Sequence, residues 1–330
     1  MAGTLDLSAN VNLKGVCCSK NSLLENVIVN NCTELENLDV ESTGVSSINL
    51  SGNSKLKAFS CSATPISELD LSHNPELESL SCYNTLITTL DVSHNPMLTY
   101  LKCSRNNLES IDLSKNTNLN YLDISNTKIQ GIDVSNHDSL LSLMVTGNSF
   151  VWLNIGDDAN MFLYTSEGMA ELTVPEKGFD ITEYFSGIET EKITIVSGGK
   201  LEGNIISGYE EGTPLVYNYN CGKLNGEDVV LTATLNLSVK EEESSKVPDD
   251  EESSTISDED HEDGQTEESK DGTKETSVND GEKIKESVPD TGDDANVMAL
   301  LVVMVIGAVI MVGVTRKRIS SLLRTRDKAD

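Results

Sequence analysis

A spacing of 21 residues runs through the first half of this chain and leaves little freedom in how it folds. Val27, Ile48, Leu69, Leu90, Ile111, Ile132 and Leu153 stand 21 apart, and the unit that opens at Leu5 is one residue longer. Within each unit apolar residues recur at offsets 8, 11, 13 and 18, as in Leu98, Leu101, Cys103 and Leu108, or Leu119, Leu122, Ile124 and Ile129. Offset 16 holds Asn or Thr: Asn21, Thr43, Thr64, Thr85, Asn106, Thr127 and Asn148. A unit this short cannot bury an apolar face alone, so successive units must stack and share one core.

The columns read LxxLxLxxNxL, the signature of a leucine-rich repeat, whose usual period of 20–29 residues includes this one. LxL turns alternate side chains of a short strand inward, and Asn or Thr satisfies backbone groups where the chain bends. The remaining half-unit, LDLSHNPEL at 69–77 and LDVSHNPML at 90–98, supplies a second inward pair and an Asn on the convex return. Residues 5–155 are therefore expected to form a solenoid with a concave parallel sheet. Leu5 lies inside a repeat and no capping segment precedes it, so further sequence is expected upstream.

Past Leu153 the period fades. Residues 156–173 are expected to close the solenoid. Residues 174–240 hold short apolar alternations, Lys192–Val196, Leu215–Tyr219 and Val229–Val239, between glycine-containing turns, and predict a small antiparallel β module. Residues 241–287 carry 19 acidic and 5 basic side chains and no aromatic residue, which predicts a disordered, self-repelling stalk. From Val297 to Val314 every residue is apolar or glycine, enough for a helix of about 27 Å, close to the hydrocarbon thickness of a bilayer. The basic tail 315–330 opens with Arg316, Lys317 and Arg318, which places it in the cytoplasm and everything before the span outside. Met1 is followed by no basic and apolar export signal, a second reason to expect sequence upstream.

Val288-Pro289-Asp290-Thr291-Gly292 stands just before the span. Pentapeptide, apolar span and basic tail in this order resemble the sorting signal of Gram-positive surface proteins. The resemblance implies that a sortase thiolate attacks the Thr291–Gly292 bond and passes the threonine carbonyl to an amine of peptidoglycan. Pro289 fixes φ and keeps Val288 extended. Val288 departs from the commoner Leu, which leaves the sortase class open. With the repeats, about three quarters of the chain resembles internalin-like leucine-rich-repeat surface proteins. That resemblance implies adhesion or binding of a protein or glycan partner, without catalysis and without a cofactor. A structural spacer with no specific ligand and an uncleaved single-pass receptor are the alternatives.

Charge and site chemistry narrow the function further. With 54 acidic against 24 basic side chains the net charge is −30, which repels nucleic-acid phosphates. Cys61, Cys82 and Cys103 share offset 13 and form an inward ladder, with Cys18 at the same offset of the first unit. Parallel side chains in a line do not converge on a metal, so they are expected to fill the core. Cys17, Cys32 and Cys221 fall outside that column, and seven is an odd number, unlike a secreted disulfide framework. His73 and His94, like Asp70, Asp91, Asp112 and Asp133, form convex columns expected to be a solvated edge rather than a metal site. No nucleophile, phosphate loop or H-E-x-x-H is present. The solvent-facing positions of three successive units hold Tyr83, then Tyr100, Lys102 and Arg105, then Tyr121 and Asp123. These six are expected to form one ligand-binding patch, since Tyr and Arg dominate binding hot spots.

Overall fold

A computed structural model describes residues 3–240. The acidic segment 241–287, Val288 to Gly292, the apolar span 297–314 and the tail 315–330 lie outside the described residues. The repeats form a β-solenoid whose concave face is one parallel sheet of eight strands. In order these are Gly15–Cys17, Asn37–Asp39, Ala58–Ser60, Ser79–Ser81, Tyr100–Lys102, Tyr121–Asp123, Ser142–Met144 and Phe162–Tyr164. Each strand has three residues, and its central one points inward: Leu38, Phe59, Leu80, Leu101, Leu122 and Leu143 are buried. The next inward column is Val40, Cys61, Cys82, Cys103, Ile124 and Val145, also buried. Each such side chain contributes about 1.5–3 kcal/mol by leaving water, and only because the coils above and below cover it.

The turn after each strand is held in the same way in every coil. Lys20, Ser42, Ala63, Asn84, Arg105 and Asn126 all have φ between 53° and 61°. Their N–H groups donate one coil ahead, for example Ala63 to Tyr83 O, Asn84 to Ser104 O and Arg105 to Ser125 O. A left-handed conformation costs a residue with a Cβ about 1 kcal/mol, and the gained ladder bond offsets it. One residue later the Asn/Thr column closes the turn from inside. Thr64 Oγ1 donates to Cys61 O at 2.6 Å, and Asn106 Nδ2 donates to both Cys82 O and Cys103 O. Asn106 Oδ1 in turn accepts from Thr85 N and Thr85 Oγ1.

A second ladder runs along the convex return. Asn53, Asn74, Asn95 and Asn116 are fully buried, and each Nδ2 donates to two carbonyls of the coil before it. Asn95 takes Leu71 O at 3.0 Å and Asn74 O at 2.9 Å, and Asn116 takes Val92 O and Asn95 O at the same distances. Cys32 begins the column with a weaker bond from its thiol to Leu7 O. The preceding Asp column forms Asx turns: Asp70, Asp91, Asp112 and Asp133 each accept the N–H two residues on. The side chains of Ser72 and Ser93, and after them these N–H groups, hold the Asp70 and Asp91 carboxyls below their ordinary value, and at Asp112 the Ser114 N–H leads.

Beyond the solenoid, Leu215–Leu224 and Glu227–Lys240 form a long antiparallel hairpin. Its turn is Asn225-Gly226, both at positive φ, the pairing that matches the twist of flanking strands. Ile193–Ser197 pairs antiparallel to Leu215–Leu224, whereas Gly168–Pro175 runs parallel beside Glu227–Lys240 over eight residue pairs. The sheet is thus mixed, because Gly168–Pro175 leaves the solenoid already running along the hairpin's second strand. Gly156–Ala159 joins the other edge through Gly156 and Gly222. Tyr217, fully buried, donates to Val151 O at 3.0 Å, and Ile155 N donates to Cys221 O, so solenoid and sheet share hydrogen bonds. Trp152 is accommodated beside them because Gly131 has no side chain; a Cβ there would stand 2.0 Å from Trp152 Nε1. Among the described residues no helix is long and apolar enough to cross a membrane.

Candidate binding surface

Parallel register stacks the two outward positions of each strand into columns. One column runs Asn37, Ala58, Ser79, Tyr100, Tyr121, Ser142, Phe162, and the other Asp39, Ser60, Ser81, Lys102, Asp123, Met144, Tyr164. Adjacent strands lie about 4.8 Å apart, which is the stacking distance of aromatic rings. Tyr100 and Tyr121 accordingly stack with ring centroids 4.6 Å apart and planes inclined by 7°. Lys102 reaches back over the Tyr83 ring, its Nζ 4.2 Å from the centroid. That cation–π contact is worth about 0.5–1 kcal/mol at a half-exposed site.

The six expected residues do not all play the same part. Tyr83, Tyr100, Lys102 and Tyr121 are half-buried and adjoin one another on the concave side. Arg105 is exposed, but it sits on the left-handed turn beyond the strand, close enough to Tyr83 for its charge to act on that phenol. Asp123 is buried, and its carboxylate already accepts from Ser104 Oγ at 2.9 Å and Ser125 N at 3.0 Å. It braces the floor under the tyrosines. Desolvation, followed by the Asp123 charge, pushes the Tyr100 hydroxyl up to about 12, so it stays a neutral donor at any physiological pH.

Sequence reasoning missed two residues of this surface. Phe162 and Tyr164 are 49% and 48% exposed on the last strand of the concave sheet. Tyr121 Oη contacts Met144 Sδ at 3.1 Å, and the phenol of Tyr164 lies near enough to Tyr121 to act on it. The aromatic surface therefore runs from Tyr83 to Tyr164. The signal was present in Phe162-Leu163-Tyr164, which repeats the pattern of Tyr121-Leu122-Asp123, but it stands one residue early against the 21-residue count. At the other end Glu41, raised by burial and by Asp39, faces the same surface, and its charge acts on Tyr83 and Tyr100. Between lies a floor of Ala58, Ser60, Ser79 and Ser81.

All seven cysteines are free; Cys17 is exposed and the others are buried. Burial pushes the Cys61 thiol up to about 12 and raises Cys82 and Cys103 well above the ordinary thiol value, so the ladder behaves as core. His73 and His94 each meet a neighbouring Ser hydroxyl through Nδ1 on the exposed convex side. Among the described residues no three His, Cys, Asp or Glu side chains converge closely enough to hold a metal ion.

These features define a class: a parallel β-solenoid of 21-residue coils of the leucine-rich-repeat kind. No protein-family model and no curated protein matches the chain. Solved structures to which it is similar are themselves leucine-rich-repeat proteins. The functional domain of InlJ from Listeria monocytogenes, described as including a cysteine ladder, is 21% identical with a TM-score of 0.48, over 71% of this chain and 59% of that one. A leucine-rich-repeat protein of Leptospira interrogans is 18% identical with a TM-score of 0.43, over 48% and 46% of the two chains. Internalin C2 of Listeria monocytogenes is 17% identical with a TM-score of 0.39, over 44% and 66%. The chain thus spans little more than half of the first of these structures and less than half of the second.

Proposed function

We propose that this chain is a surface protein that displays its solenoid outside a Gram-positive cell and binds a protein or glycan through the concave sheet. Support for binding comes from one observation above the others: a row of half-exposed aromatic rings on the concave face, with Lys102 and Arg105 beside it. Aromatic side chains lose little entropy when they bind and bury much area, so a row left half in water is suited to a partner. Tyr83, Tyr100, Lys102, Arg105 and Tyr121 make the contacts in this reading, Phe162 and Tyr164 extend them, and Asp123 holds the floor.

Attachment rests on the sequence alone. Val288, Pro289, Asp290, Thr291 and Gly292 form the sortase substrate. The Thr291–Gly292 amide breaks as a thioester forms on the sortase cysteine, and a peptidoglycan amine then displaces that cysteine to form a new amide. The span from Val297 to Val314 holds the chain in the membrane until cleavage, and the acidic segment 241–287 spaces the solenoid from the wall. No catalytic role and no cofactor are part of this reading. Mass spectrometry of the chain released from native cell walls tests the attachment. A C-terminal peptide ending at Thr291 with a peptidoglycan adduct is expected. A peptide running intact through Gly292 in the membrane fraction would replace wall attachment with a retained membrane receptor.

A further inference from the structure

The junction between the solenoid and the sheet beyond it brings a lysine, a carboxylate and an asparagine amide to one point. Asn154 ends the solenoid strand Trp152–Asn154 and is 7% exposed. Its Nδ2 donates to Glu189 Oε1 at 3.1 Å, while Gly156 N donates to its Oδ1 at 3.2 Å. Lys192 Nζ donates to the same Glu189 Oε1 at 2.9 Å. The single turn Thr190–Lys192 brings Lys192 back beside Glu189 and is pinned at both ends: Lys192 N donates to Glu189 O, and Glu189 N to the hydroxyl of the fully buried Tyr219. One carboxylate oxygen is thus shared by an amine and an amide nitrogen, which stand no further apart than those two distances together.

Each of these groups is placed for one part of an acyl transfer. A general base must lie within about 2.6–3.2 Å of the atom whose proton it takes, and Glu189 meets that limit toward both nitrogens. A lysine amine is a nucleophile once it has lost its proton, and its four-carbon stem is flexible enough to cover the remaining approach to the amide carbon. The Gly156 N–H is already bonded to the oxygen on which negative charge collects when that carbon is attacked. We propose that Lys192 and Asn154 join in an isopeptide bond, a modification that the folded chain makes on itself. Glu189 takes a proton from the Lys192 ammonium, Nζ attacks Asn154 Cγ, and the Cγ–Nδ2 bond breaks as Glu189 passes protons to Nδ2. Of the three ammonium protons one stays on the new amide and two leave with Nδ2, so ammonium is released and neither an oxidant nor a cofactor is consumed. The bond ties the end of the solenoid to Ile193–Ser197, the sheet strand that follows Lys192 directly. It is separate from the concave surface and stands or falls independently of the reading above.

The test is the intact mass of the purified full chain under reducing and denaturing conditions, together with a peptide map. The expected result is a mass lower than that of the sequence by one ammonia, and a branched peptide joining the segments that hold Asn154 and Lys192. Lys192→Arg keeps a cation beside Glu189 but removes the nucleophile, and it should retain the ammonia. Glu189→Gln, which removes the base with little change of shape, should retain it too. Both variants should still unfold cooperatively, which separates loss of the bond from loss of the fold. Asn225-Gly226 can shed ammonia as a cyclic imide, but that loss would persist in Lys192→Arg. A parent chain of full mass with linear peptides at both positions, an ammonia loss unchanged in Lys192→Arg, or a Glu189→Gln chain cross-linked as completely as the parent would overturn the proposal.

Discussion

Asn95 and Arg105 show how differently two residues of one coil can be read. Asn95 is fully buried and spends its amide on two carbonyls of the preceding coil. Each such bond is worth about 1 kcal/mol net, and its loss also leaves a space in the stack. Asn95→Ala should therefore destabilise the chain by about 2–3 kcal/mol in urea unfolding, and Asn95→Asp by more, since it buries a carboxylate against two carbonyls. A loss under 0.5 kcal/mol would show that the ladder is incidental. The Asn column was legible in the sequence because its residue type barely changes. The left-handed column was not, because Lys20, Ser42, Ala63, Asn84 and Arg105 have no type in common. Only φ unites them, and φ leaves no mark in the sequence when the next coil's carbonyl offsets its cost. That is why the sequence marks Arg105 only as a solvent-facing position, whereas it stands on the left-handed turn beyond the strand. The burial of Asp123 leaves no mark in the sequence either, since the partners of its carboxylate, Ser104 and Ser125, are small residues of two adjacent coils.

At the scale of the element, the solenoid is legible where the count of 21 holds and illegible where it slips by one. Phe162–Tyr164 pairs with Ser142–Met144 at a spacing of 20, so the last concave strand hides in what reads as a closing segment. The strand Gly168–Pro175 is hidden too, because a parallel neighbour can be far away in sequence and no turn signal announces it. His137 marks the same boundary, where the Asn column gives way. Because burial depresses its pKa in the folded chain, the unfolded chain binds the proton more tightly. Its contribution to stability is complete above the unfolded value near 6.5 and declines as pH falls below it. The Leu113 backbone and the charges of Asp133 and Asp138 oppose that depression without cancelling it. Urea midpoints at pH 7.5 and 5.5 should fall with pH in the parent chain and change less in His137→Asn. Equal pH dependence in the two would show that His137 is not a source of it.

For the whole molecule, the distribution of chemistry matters more than any single group. The net charge of −30 is spread unevenly, with 19 acidic and 5 basic side chains in the run 241–287 alone. Five aromatic rings, Tyr83, Tyr100, Tyr121, Phe162 and Tyr164, by contrast gather along one face of a sheet whose other face is core. Stacked coils hold that face rigid, so a partner meets it without an ordering cost on this side. What made the surface readable is that register converts a spacing of 21 into neighbours; what hid its full extent is the slipped last coil. The claim that the concave face is the binding surface is tested most directly by screening residues 3–240 against arrays of cell-surface proteins and glycans, beside a Tyr100→Ala/Tyr121→Ala variant of equal melting temperature. The account predicts a saturable ligand whose affinity falls at least tenfold in the variant. A ligand bound equally well by both proteins would place recognition elsewhere and contradict it.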